Sequence, residues 1–158
     1  MKVQSLALLL ALIVSTVLFA QEYPVGPDSN LTPGMLCKNP DSYRYPEHIP
    51  YCERDVSPDH KNRIFANYRK LGYNLNPKMR RDYKIDHLIP LCAGGSNETV
   101  NLWPQHKSVY EKTDKMEALG CEKLAAGRIR QAELVELILE AKKNLALVRP
   151  TLDHLNSL

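Results

Sequence analysis

The chain has 158 residues, of which 44% are hydrophobic and 25% charged, with a net charge of +3. That size supports one modest core, and the absence of repeats or low-complexity tracts excludes a repeat array. The small positive charge by itself argues for no partner, and four cysteines without a Cys-x-x-Cys pair favour disulfides over zinc.

Lys2 precedes an apolar run from Leu6 to Phe19 that is broken only by Ser15 and Thr16 and closes at Ala20. This pattern is that of a secretory signal peptide over residues 1–20, cut before Gln21, although Leu18 stands where a small residue is usual. The run is too short to span a bilayer comfortably, so the mature chain is expected to be secreted or periplasmic, without stable membrane association. Residues 21–56 are rich in Pro, Tyr, Asp and Asn with little periodicity, which predicts an irregular arm around Cys37 and Cys52. Ser57 then caps a helix with Pro58 in its first turn, and Ile64, Phe65, Tyr68 and Leu71 form its apolar face. From Ser57 to Lys84 the basic residues Lys61, Arg63, Arg69, Lys70, Lys78, Arg80, Arg81 and Lys84 meet only Asp59 and Asp82.

Tyr83 to Leu91 has the alternation and apolar filling of a short half-buried strand, with Asp86 and His87 where successive side chains diverge. Gly94 and Gly95 allow a tight reversal, so Val100 to Trp103 is expected to return as the second strand of a hairpin and bring Asn101 back toward His87. Pro104 is expected to block further pairing, and a helix is expected to begin within Gln105 to Lys112. Thr113 is placed as the cap of a helix through Met116, Leu119 and Leu124, with a break at Gly120. A last helix near Gln131 to Leu147 carries Leu134, Leu137, Ile138, Ala141 and Leu145. Residues 57–150 form the domain in this reading and 151–158 a tail.

The stretch DYKIDHLIPLCAGGSNETVNLWPQH, from Asp82 to His106, resembles the core of the HNH, or His-Me finger, nucleases. The resemblance is close over Tyr83 to His106, about one sixth of the chain. It implies an α+β fold with a ββα-metal hairpin and helix, flanked by further helices and stapled by disulfides. It also implies the roles of the site. His87 would be the general base that deprotonates water, Asp86 would ligate one divalent cation, and Asn101 would hold the hairpin loop and the His87 ring. Mg²⁺ or Mn²⁺ is the expected ion, with Zn²⁺ as the alternative, because a hard carboxylate suits a metal that neutralises phosphate charge. The second ligand departs from the family pattern: His106 comes only five positions after Asn101, and Glu111 is the next candidate.

On that reading the substrate is nucleic acid, DNA before RNA, with Lys78, Arg80 and Arg81 contacting phosphates without sequence preference. Trp103 is expected in the core. Asn97 falls in a glycosylation sequon at the hairpin turn. Of three possible disulfide connectivities, Cys37 with Cys52 and Cys92 with Cys121 is favoured. The first closes the arm's loop and the second ties the hairpin to a later helix, each worth about 3 to 4 kcal/mol on the chain-entropy estimate. The expected function is a secreted or periplasmic, metal-dependent, non-specific endonuclease. The alternatives are a catalytically inactive HNH-like envelope binding or scaffold protein and a toxin-like nuclease with an immunity protein, the latter disfavoured by the lack of a delivery domain.

Overall fold

A computed structural model of the chain describes residues 22–75 and 77–158, without the side chains of residues 77–79. The signal peptide expected over 1–20 and the Lys78 side chain lie outside the described residues. The arm contains more regular structure than its composition suggests: strand β1 (Ser42–Arg44) pairs antiparallel with β2 (Ile49–Tyr51). A bridge between Cys37 and Cys52 closes this hairpin onto the preceding segment.

Helix α1 (Pro58–Lys70) begins as its sequence requires. The Ser57 hydroxyl accepts from the His60 amide at 3.2 Å, and Pro58 occupies a first-turn position whose amide needs no partner. Ile64, Phe65 and Tyr68 are buried, whereas Leu71, just beyond the last turn, is 48% exposed.

The central hairpin pairs β3 (Tyr83–His87) with β4 (Leu102–His106), and α2 (Lys107–Ala125) follows directly. The first strand starts at Tyr83 as expected but ends at His87 instead of running to Leu91, and the second lies further along the chain than Val100 to Trp103. Pro104 lies inside β4, opposite Ile85. A two-stranded hairpin leaves each strand one unpaired edge, so a proline without an N–H is accommodated there. The reversal is not tight either: residues 88–101 form a loop with two 3-10 turns, Leu91–Ala93 and Thr99–Asn101. Gly94 ends the first of these at φ 82°, and a Cβ on Gly95 would lie 1.8 Å from the Ile89 carbonyl oxygen. Glycine is therefore required at both, once for conformation and once for close approach.

Thr113 is inside α2, and the helix runs unbroken through Gly120. The glycine makes room for Leu134, whose Cδ1 would be 2.6 Å from an added Cβ. Helix α3 (Gln131–Lys143) and α4 (Val148–Ser157) complete the chain. The segment expected as a tail is thus a helix, with Val148, Thr151 and Leu155 buried. Met116, Leu124, Leu134, Ile138 and Leu155 share one core, and Ile64, Tyr68, Leu88, Leu102 and Trp103 share a second beside α1. Cys92 and Cys121 are joined, so the hairpin loop is tied to α2. The result, among the described residues, is an α+β fold of four helices and two small antiparallel hairpins with two disulfides. No helix among the described residues is long and apolar enough to cross a membrane.

Candidate functional site

Strand alternation and the β3–β4 register sort the candidate residues onto two faces. Tyr83, Ile85 and His87 share one with their partners His106, Pro104 and Leu102, and Lys84 and Asp86 share the other with Gln105 and Trp103. Asp86 and His87 are adjacent in sequence and therefore point to opposite sides of the hairpin.

On the first face His87 is buried, 4% exposed, and its Nε2 lies 3.0 Å from Asn97 Oδ1. The Asn97 amide is oriented by its own donation to the Glu53 carbonyl at 2.6 Å, so its oxygen faces the ring. Nε2 then carries the proton in the neutral imidazole and Nδ1 is the basic nitrogen. Burial pushes the imidazole down to about 4, against the bond to Asn97, and the Arg54 guanidinium adds to the lowering. Arg54 donates to the Ile85 carbonyl at 3.0 Å. Asn97 and Arg54 also line a cleft of about 780 Å³ together with Lys38, Glu53, Glu98 and Thr99.

Asn101 holds the loop. Its Oδ1 accepts from the Ile89 amide at 2.9 Å, and its Nδ2 donates to the carbonyls of Ile89 and Ser96 at 3.0 and 2.9 Å. The part of its expected role that concerned the His87 ring is taken by Asn97 instead. Loop residues 88–101 bring Asn97 over the strand end, which sequence spacing alone did not reveal.

The second face is an ion cluster. Asp86 Oδ2 accepts from Lys142 Nζ at 2.7 Å, and Oδ1 is 3.3 Å from Lys84 Nζ. Burial opposes ionisation of Asp86, but the Lys142 and Lys84 ammoniums hold its carboxyl below the usual range. Lys142 also meets the His87 carbonyl at 2.6 Å and Glu117 Oε1 at 2.9 Å, the latter an ion pair outside hydrogen-bond geometry. Burial pushes the Glu117 carboxyl up to about 7. Glu117 follows the buried positions Val109, Thr113 and Met116 on α2, so helical periodicity carried a signal for it. Lys142 follows Leu134, Ile138 and Ala141 in the same way, but its type reads as surface.

His106 is elsewhere. It pairs with Tyr83, three ladder positions and about 10 Å from Asp86. There it caps α2: Nδ1 accepts from the Ser108 amide at 3.3 Å, and the ring stacks on Tyr23 at 3.9 Å. Glu111 is exposed in α2 and takes no part in the Asp86 cluster. Arg80 and Arg81 are exposed beside the Tyr83 end of β3, the far end from His87, and Arg80 donates to Asn62 Oδ1 at 2.7 Å.

No family model matches the chain, and neither the curated proteins nor the solved structures contain a match to it.

The side chains do not fit a divalent cation as the resemblance implies it. Both oxygens of Asp86 already face ammonium groups, and His106 is directed to a helix cap. Among the described residues no three His, Cys, Asp or Glu side chains converge.

Proposed function

We propose that this chain is an extracytoplasmic hydrolase of nucleic-acid phosphodiesters, of the HNH kind, acting with little sequence preference and on DNA before RNA. The observation that carries the reading is the His87–Asn97 bond, which leaves Nδ1 of a neutral imidazole as base on a strand end braced by Asn101. In the proposed reaction Nδ1 takes a proton from water as its oxygen bonds to phosphorus, the P–O3′ bond breaks, and the departing 3′ oxygen takes up a proton from solvent to become a hydroxyl. Arg54, beside His87, supplies positive charge toward the phosphate. Arg80, Arg81 and the neighbouring basic residues of α1 would grip the flanking backbone, giving salt-sensitive binding. Two disulfides support action in an oxidising compartment.

The test is cleavage of supercoiled plasmid and of single-stranded RNA by the disulfide-formed protein. His87→Ala is expected to lower the rate about 10²- to 10⁴-fold. An Ala variant as active as the native chain would sink the assignment of the base.

A second reading is favoured by the 4% exposure of His87, which leaves substrate little access without movement of the Asn97 loop. It is a non-catalytic binding protein built on the same hairpin. It predicts salt-sensitive DNA binding without cleavage, unchanged in His87→Ala.

A further inference from the structure

Lys142 is 0% exposed, on the face of α3 that also buries Ile138 and Ala141. A buried ammonium is tolerated only when its charge and its N–H groups are met. Here three oxygens surround it: Asp86 Oδ2 at 2.7 Å, the His87 carbonyl at 2.6 Å and Glu117 Oε1 at 2.9 Å. The Asp86 carboxylate, the Glu117 carboxyl and a backbone carbonyl are also oxygen donors of the kind a hard divalent cation selects. They come from β3 and α2, the strand and helix between which the HNH resemblance places its ion.

We propose that Lys142 is a built-in cation: its ammonium occupies the place that the resemblance reserves for a divalent metal, so the centre assembles without one. The place rests on the HNH reading, and the occupant rests on the oxygen cage itself. A dication entering this cage would meet an ammonium less than 3 Å from each oxygen it needs, with Lys84 already on the free oxygen of Asp86. Asp86 is then a strut between β3 and α3 in place of a ligand. Lys142 is a positioning residue, because it holds the His87 carbonyl and has no access to substrate.

Mn²⁺ binding, followed by electron paramagnetic resonance, tests this on the native chain, Asp86→Asn, Lys142→Ala, and Lys142→Ala combined with Asp86→Asn. The native chain is expected to bind Mn²⁺ more weakly than about 1 mM, outside the range of built Ca²⁺-type sites, and to keep its melting temperature in EDTA. Lys142→Ala vacates the cage and is expected to gain a Mn²⁺ site, with a Mn²⁺-dependent rise in melting temperature that the added Asp86→Asn abolishes. A native site lost in Asp86→Asn overturns the proposal, and so does a folded Lys142→Ala that gains no site. If Lys142→Ala does not fold even with Mn²⁺, the native and Asp86→Asn titrations decide alone. Failure of the nuclease reading would be visible separately, as absence of cleavage whatever the Mn²⁺ result. Cleavage that needs Mn²⁺ and is lost in Asp86→Asn would support that reading and overturn the built-in cation.

Discussion

His87 and Glu117 are both buried ionisable groups, and burial drives them in opposite directions on the pH scale because it penalises whichever form is charged. The unfolded imidazole takes up a proton near its ordinary value of about 6.5, and the folded one only near 4. Between those values the unfolded chain binds more protons. The stability contributed by neutral His87 is therefore full above about 6.5 and is lost as pH falls to about 4, by up to about 3 kcal/mol. Glu117, held protonated up to about 7, contributes most below the ordinary carboxylate range and loses it as pH rises to about 7. Urea unfolding between pH 4 and 6.5 is expected to show stability rising more steeply with pH in Glu117→Gln than in the native chain. Equal slopes would show that Glu117 is not shifted. The same displacement means that a base at His87 stays neutral well below pH 6.5, lower than the sequence-based expectation for an unperturbed imidazole. Residue types were legible at this scale where the role is local, as for Asn101, whose amide closes a loop within twelve residues. Asn97, Glu117 and Lys142 were not, because each acquires its partner through packing: Lys142 meets Asp86 across a separation of 56 residues.

The starts of α1 and α3 and the order strand, strand, helix were readable as elements, since each depends on neighbours in the chain, whereas the tight Gly-Gly reversal, the Thr113 cap and the start of α4 were not. Ser57 and Pro58 fix the start of α1 by a cap and a missing amide, whatever packs on it. Interior features were misread where tertiary packing overrides a local rule. Gly120 stays in α2 because Leu134 fills the space beside it, and Pro104 stays in β4 because its edge is unpaired. The loop between β3 and β4 is long and is tied to α2 by Cys92–Cys121, which closes a separation of 29 residues. Replacing both cysteines by alanine is expected to lower stability by about 3 to 4 kcal/mol, read by urea denaturation. A loss well below that range would show that the loop is already fixed by Asn101 and Gln131, whose side chain donates to the Ala93 carbonyl at 2.9 Å.

At the scale of the whole molecule, α4 joins the core. Leu155 is 0% exposed and belongs to the cluster with Met116, Leu124 and Leu134, so residues 151–158 belong to the folded unit. Leu155→Ala is expected to cost about 2 to 5 kcal/mol in thermal unfolding, and an unchanged melting temperature would return the segment to the status of a tail. The sequence by itself determined the α+β class and the central hairpin with Asp86 and His87 on its first strand, and it favoured, among three connectivities, the cysteine pairing that the structure has. These follow from periodicity, turn chemistry and chain connectivity, all local in the chain. Only the tertiary structure decided which charges share a buried space. Lys142 lies inward because α3 turns that face onto β3 and α2, and a buried ammonium there is stable only with the oxygens that a cation ligand set would otherwise offer.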